Sequence, residues 1–491
     1  MIGRTLTIRN VWVGLTVAAA FIGPASTPIG LPDLFWTVLT GAYLVSYGAI
    51  VSSDPFTSAP PTLGPILNIQ WGADLIFYAL NVVGGLPAVI TATALVIATT
   101  YALLLAAAVT ASGHLRLSCV AVWLAYALGS SNLSPRPQTL AYPLFALFLL
   151  AIMCAEWRKD TRLLWLLPPT MVLWTNLHGS FFTGFVLLAC GAAGRFVSAR
   201  SLHAALPYVF TLGACVLASL VNPFGPGSLI YVASIGSNPV IRDYVTEWAP
   251  TTVLWREGLL FFASVSLFAA LALKSRLRLT GVEVVMLIVF GYLAWSSVRT
   301  IVWWGLVVAP IAARLAGGVL TARLTPRPDR PLVNGLILAG LLIVALFSLP
   351  WTKTAIPILP VEKRGLLSLD TPVRVGDYLR THDPPGTGRM LNSQGWGGYL
   401  EWAAWPRHQV FLDGRIELHP PQVWFDYLDV VFPTPRWRAL LDKYAITYVV
   451  LDTNEQSELI TDLRQEPGWR LDYEDDQAVV FSRSPSPAAG P

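Results

Sequence analysis

The sequence predicts a mainly α-helical membrane protein, with about eleven transmembrane helices and a small C-terminal α/β domain outside the cytoplasm. Three observations lead there. Only 13% of the 491 residues are charged and 54% are hydrophobic, where a soluble domain carries roughly 25% charged residues. Apolar runs recur along the first 350 positions, separated by loops that alternate between basic and nearly uncharged. From Lys353 onward charge becomes frequent and the apolar runs shorten to strand length. The mean hydropathy is +0.57.

The expected spans are 10–30, 86–111, 117–131, 139–154, 163–175, 181–197, 204–221, 259–273, 282–295, 301–316 and 332–349. The run after Arg4 and Arg9 continues past its small residues through Ile22 to Leu31, so it reads as a retained anchor rather than a cleaved signal. Alternate loops carry Arg4 and Arg9; His114 and Arg116; Arg158, Lys159 and Arg162; Arg195 and Arg200; Lys274, Arg276 and Arg278; and Arg323, Arg327 and Arg330. Basic loops stay on the cytoplasmic side. This predicts a cytoplasmic N-terminus, with the loop 31–85 and the C-terminal region on the opposite face.

The domains expected are therefore a polytopic domain over 1–350, an α/β domain over 351–483 and a disordered tail, 484–491, rich in Pro, Ser and Ala. Within the first, 31–85 forms the first outer loop. Segments 34–47 and 70–83 read as interfacial helices there, the second with Gln70 and Asp74 on one polar face. In the α/β domain, strands are expected at 388–391, 409–412, 447–451, 470–473 and 478–481. Helices are expected at 371–382, 420–430, 435–444 and 455–465. The four cysteines, Cys119, Cys154, Cys190 and Cys215, all fall in apolar segments and read as packing residues. No Lys/Arg-rich patch suggests nucleic acid.

The polar residues of the spanning region gather at the predicted outer ends: Asp33, Asp54, Gln70, Arg136, Gln138, Asn176, His178, Asn222, Arg242, Glu247 and Arg299. Ionisable groups beside a membrane are costly and usually functional or paired. Their convergence points to one cavity at the outer leaflet. Asp33, just after the first span, suits a general base or a metal ligand; following Pro32, it also suits a helix cap. Asp54 sits in Ser-Ser-Asp-Pro-Phe, a good turn. Arg136 opens a helix in Ser-Pro-Arg-Pro-Gln, where a phosphate or a lipid headgroup would bind. His178 lies in a tight turn and Arg299 lies between two apolar segments. No Walker-type loop, His-Glu-x-x-His or Ser-centred elbow is present.

Several short motifs, in this order, resemble the polytopic GT-C superfamily of glycosyltransferases, in an uncharacterised bacterial branch. They are Asp33-Leu34-Phe35-Trp36, Asp54-Pro55-Phe56, Gln70-Trp71, Arg136-Pro137-Gln138, Trp174-Thr175-Asn176-Leu177-His178-Gly179, Asn222-Pro223-Phe224-Gly225, Glu247-Trp248, Ser297-Val298-Arg299, Gly395-Trp396-Gly397-Gly398-Tyr399-Leu400 and Asp413-Gly414-Arg415. The resemblance implies inverting transfer of a sugar from a polyprenyl-phosphate donor to a lipid, glycan or protein acceptor of the cell envelope. In that scheme Asp33 is the base. Arg136, His178 or Arg299 steadies the departing phosphate, and Asp54, Gln70, Gln138, Asn176, Asn222 and Glu247 line the substrate site. The resemblance admits a divalent metal, but Gln70 stands before Trp71 where an acid is frequent, which weakens that carry-over. Two other classes compete: a transporter or flippase of lipid-linked glycans, and a non-catalytic envelope assembly protein.

Overall fold

The structure is a computed structural model that describes residues 6–30, 33–236, 238–320, 329–383 and 388–483, the side chains of 239, 242 and 243 excepted. The tail expected at 484–491, the loop residues Arg4, Arg323 and Arg327, and the side chain of Arg242 lie outside them. The chain divides into two compact units: Met1–Pro28, Leu80–Ala233 and Arg242–Leu366 form the first; Ile29–Ala79, Ser234–Ile241 and Leu367–Pro491 form the second.

The first unit is helical. Among the described residues seven helices are long and apolar enough to cross a membrane: Ile8–Ser26, Trp71–Ser112, Pro137–Arg158, Gly179–Ala199, Arg256–Lys274, Val298–Leu320 and Pro331–Ser348. Leu202–Ala218 and Gly281–Ser296 are apolar but shorter. The expected spans 117–131 and 163–175 are the helices Leu115–Gly129 and Leu167–Thr175. The second has only 9 residues, about 14 Å of rise.

Membrane character is written on the surface. Arg256–Lys274 and Pro331–Ser348 are mostly unburied, only 11% of their apolar stretch being enclosed, yet what they expose is apolar: Leu259, Leu267 and Leu273 on one, Leu336, Leu342, Ile343 and Phe347 on the other. In water such surface would be a liability; against lipid it is the matching solvent. The interior is held by aromatic packing, with Phe145 against Trp303 at 4.7 Å and Phe148 against Trp174 at 5.4 Å between ring centroids. All four cysteines are buried and unbridged there.

Trp71–Ser112 is two helices in one run. Gly84 and Gly85 leave helical geometry, Gly85 at φ 63°, a value an L side chain resists. The residues through Ala79 belong to the second unit.

The second unit is built on a four-stranded sheet, β1 (Arg389–Asn392), β2 (Ile446–Asp452), β3 (Trp469–Glu474) and β4 (Ala478–Arg483), in the order β1-β2-β4-β3. β1 and β2 are parallel, with Leu391 opposite Val449; β2–β4 and β3–β4 are antiparallel. The parallel step is bridged by the helices Gly397–Ala404, Pro421–Val431 and Trp437–Lys443, as a parallel crossover requires. Its core gathers Leu391, Phe411, Leu412, Trp424, Val449, Leu451, Val479 and Phe481.

Three local expectations are corrected. Segment 409–412 is no strand of this sheet. Val410 instead makes an isolated bridge to Thr57, and the Phe411 and Leu412 amides donate to Asn392 Oδ1 at 2.7 and 3.3 Å. Segment 34–47 is the helix Asp33–Tyr47, and its first half is enclosed: Leu34 through Gly41 are all buried, and Phe35 packs on Tyr399 and Trp402 of helix Gly397–Ala404, while Val45 and Tyr47 are exposed. Asp74 is no member of an exposed polar face; it is fully buried and accepts a hydrogen bond from Asn68 Nδ2 at 2.7 Å.

Candidate functional site

Chemistry-bearing side chains gather in two clusters, one in each unit. In the second unit the centre is Arg415. Its Nη1 lies 3.1 Å from Asp54 Oδ1, its Nη2 lies 3.3 Å from Glu401 Oε2, and its Nε donates to Asp413 Oδ2 at 2.6 Å, where Nη2 also pairs. Trp36 and Phe56 lie against the guanidinium, 5.2 and 5.7 Å from ring centroid to Cζ. The acid side chains are 4% exposed at Asp54 and 0% at Glu401 and Asp413.

Local sequence explains how these groups meet. Asp54 closes its turn by accepting from the Thr57 amide through Oδ2 at 2.9 Å, leaving Oδ1 toward Arg415. Asp413 Oδ1 accepts the Arg415 amide at 2.7 Å, a turn that aims the arginine inward. Glu401 comes from the helix opened by Gly397. A Cβ on Gly397 would meet Leu412 O at 2.3 Å, so only glycine lets that helix approach the Asp413 loop. Burial pushes the Glu401 carboxyl well above its usual range; Arg415 opposes this, and Asp413 and Asp54 add to it.

Asp33 opens its helix beside this cluster. A Cβ on Gly414 would lie 3.5 Å from Asp33 Oδ1, so the carboxylate rests against the Asp-Gly-Arg turn. Gln70 sets the start of helix Trp71–Ser112, its carbonyl accepting from Ala73 and Asp74.

In the first unit the centre is Glu247. Arg136 Nη1 donates to it at 3.1 Å and Arg299 Nη1 at 3.3 Å. Arg136 Nη2 also bonds Asn132. Gln138 Oε1 accepts from Arg299 Nε at 3.1 Å, so Gln138 orients the second arginine. Burial raises the Glu247 carboxyl, but Arg136 and Arg299 outweigh it and hold the group below the usual carboxylate range. Two guanidiniums thus share one carboxylate and leave one net positive charge. Glu247 and Arg299 open into a cavity of about 360 Å³ with Ser131, Asn132, Trp255 and Glu257 in its wall.

His178 is held nearby in charge terms. Burial lowers its pKa well below the usual value, and Arg299 and Arg136 lower it further. The neutral ring accepts the Ser180 amide at Nδ1, 3.0 Å away, which places its proton on Nε2. Asn176 and Asn222 have turn-forming work. Asn176 Nδ2 donates to the carbonyls of Val172 and Val221; Asn222 accepts from the Phe224 amide and donates to Ser219 O.

Neither a protein-family model nor a curated protein matches this sequence. A solved structure does. The Archaeoglobus fulgidus oligosaccharyltransferase, crystallised with a disulfide-tethered acceptor peptide containing the NVT sequon, matches with a TM-score of 0.57 at 12% identity, over 96% of this chain and 74% of that one. The fold is shared with an oligosaccharyltransferase.

The divalent metal admitted by the GT-C resemblance finds no fitting ligand set. Among the described residues no group of three or more His, Cys, Asp or Glu is arranged to hold a metal ion. Where three acids do converge, their oxygens face the N–H groups of Arg415.

Sequence reasoning named Asp413-Gly414-Arg415 only as a motif and passed over Glu401. An Asp-Gly-Arg turn directly after an apolar run, with an acid alone in Gly-Gly-Tyr-Leu-Glu-Trp-Ala-Ala, was the available signal. Buried charges demand partners.

Proposed function

We propose that this protein is an integral-membrane glycosyltransferase. It takes a sugar from a polyprenyl-phosphate donor and passes it to an envelope acceptor on the extracytoplasmic face. The observation that carries this reading is the Arg136–Glu247–Arg299 array: two guanidiniums on one carboxylate, Arg136 buried and the other two partly exposed, with Glu247 and Arg299 opening into a cavity that Glu257 also lines. Such an array stabilises charge that grows on a leaving phosphate. The fold likeness to an oligosaccharyltransferase supports it.

In this reading the acceptor's nucleophilic atom attacks the anomeric carbon as the carbon–oxygen bond to phosphate breaks. Asp33 takes the acceptor proton, Arg136 and Arg299 neutralise the departing lipid phosphate, and configuration inverts. Neutral His178 donates from Nε2. Gln138 positions Arg299, and Asn176 and Asn222 shape the turns around the donor. Asp54 acts through Arg415, and Gln70 by setting the helix that carries Asp74. The basic loops place the N-terminus in the cytoplasm and the C-terminal domain outside, with about eleven membrane crossings in all.

The test is purified protein in lipid nanodiscs, offered a panel of polyprenyl-phosphate sugars, with release of the lipid phosphate as readout. Release with a defined sugar supports the reading. Movement of an intact lipid-linked glycan across a proteoliposome membrane, without release, would replace it with a transport function.

A further inference from the structure

We propose that the Arg415 guanidinium is the resident cation of the Asp54–Glu401–Asp413 cluster, standing where a divalent metal would otherwise sit, so that the protein binds no divalent ion there. The proposal concerns ion binding alone and is independent of the glycosyltransferase reading.

Three observations converge. First, the acids come from separate stretches of the second unit, the loop after helix Asp33–Tyr47, helix Gly397–Ala404 and the loop that follows that helix, and all address one point. Carboxylates from distant segments aimed inward at a common centre are how proteins make a hard-cation site. Second, that centre is filled by a planar fork. Arg415 presents Nε, Nη1 and Nη2 to different carboxylate oxygens. Nε donates to Asp413 Oδ2 at 2.6 Å and Nη2 to Glu401 Oε2 at 3.3 Å, with Nη1 3.1 Å from Asp54 Oδ1 as an ion pair, whereas calcium or magnesium draws its oxygens to about 2.0–2.6 Å. Third, Trp36 and Phe56 lie against the guanidinium. Arginine is weakly hydrated and stacks well on aromatic faces; a divalent ion keeps water there instead.

The geometry also says what removal would do. Arg415→Ser would leave Asp54, Glu401 and Asp413 facing a small vacated space with no counter-charge. Held apart by Arg415 they form no metal site; closing on the vacated space, they would form the oxygen-rich set that a divalent ion takes.

The experiment is a manganese(II) titration of the full-length protein in detergent, followed by electron paramagnetic resonance, with thermal melts in manganese and in EDTA. The wild type is expected to bind no stoichiometric ion and to melt at the same temperature in both. Arg415→Ser is expected to melt lower, to take up one manganese(II) and to regain part of its melting temperature with it. The double variant Asp54→Asn/Arg415→Ser should lose that response. Stoichiometric binding by the wild type that disappears in Asp54→Asn would overturn the proposal. So would a folded Arg415→Ser protein that ignores manganese. Should Arg415→Ser fail to fold, the wild-type and Asp54→Asn titrations decide alone.

Discussion

Arg415 reaches Asp54 with an N···O separation of 3.1 Å, joining the Asp-Pro-Phe turn near the start of the chain to the Asp-Gly-Arg turn far beyond it. The ion pair stands beside a set of hydrogen bonds that join the same two segments. Val410 bridges Thr57, Gln409 Nε2 donates to Pro55 O at 2.9 Å, and the Ser58 amide donates to Val410 O at 2.8 Å. The segment that carries Asp33 and Asp54 is thereby a built part of the second unit and not a free excursion. Asp33 is held where the Asp-Gly-Arg turn is held.

This predicts a hierarchy at Arg415. Arg415→Met removes the counter-charge from buried acids and should destabilise the protein by about 3–5 kcal/mol, the range for breaking one side of a buried ion pair. Arg415→Lys keeps the charge but loses the fork, so it should melt between Arg415→Met and the wild type. Thermal melts in one detergent give the ranking, and equal melting of the two variants would mean that geometry, not charge, holds the cluster.

Glu401 gives a pH test with a definite sign. In the unfolded chain the group ionises near its model value of 4.5, while in the fold it keeps its proton well above that. The folded state therefore binds more protons over that window, and stability falls as pH rises from the ordinary carboxylate range. Glu401→Gln mimics the protonated acid. It should be nearly neutral for stability at low pH and should flatten the decline seen in the wild type at higher pH. Melting temperatures of both proteins across pH 5 to 9, a range of roughly four decades in proton activity, read this directly.

Asp33→Asn tests the base. A positioned general base is worth about 10²–10⁴-fold in rate, so sugar transfer should fall by that factor. Asn keeps the size and can still cap a helix, so expression and melting temperature should stay near those of the wild type. Lost transfer with unchanged folding separates a chemical role from the capping role.

Much of the fold was legible because membrane segments advertise themselves. Every expected apolar run is helical, and the helices 371–382, 420–430, 435–444 and 455–465 appear within a few residues of their expected ends. Periodicity and composition are local signals, and these elements obey them. What failed was non-local. Segment 409–412 has the apolar alternation of a strand, yet its amides bond Asn392 and its partner is the loop at Thr57. Asp74 shares a helical face with Gln70, which suggests a wet surface, but Asn68 and burial claim it. The Asp54–Arg415 pair has no sequence signature at all, since a pairing across most of the chain leaves no period to read. In the first unit Arg136, Gln138, Glu247 and Arg299 do come together; Arg136, Gln138 and Arg299 each stand beside the end of an apolar run, and Glu247 lies in the loop between two of them.

Glu247 supplies the last prediction, because it is the one anion between two cations. Its carboxyl is held below the usual range by Arg136 and Arg299 against the opposing effect of burial. A depressed folded value means that its contribution is present above the unfolded pKa and is lost as pH falls through the folded one; from pH 5 upward it stays charged. Glu247→Gln therefore adds one positive charge to the array of Arg136 and Arg299 across that whole range. A short prenyl monophosphate should bind the variant more tightly, by roughly tenfold, which corresponds to about 1.4 kcal/mol. The gain should not vary between roughly pH 7.5 and 8.5, above both the ordinary carboxylate pKa values and the second ionisation of a phosphate monoester near pH 6. Arg136→Gln and Arg299→Gln should each weaken the same ligand. Arg136→Gln should cost more stability as well, because its side chain is 2% exposed against 26% for Arg299. Calorimetric titration of the three variants with one ligand gives all of these signs. If Glu247→Gln bound the phosphate less tightly than the wild type, the carboxylate would be holding the arginines in place for the ligand rather than competing with it.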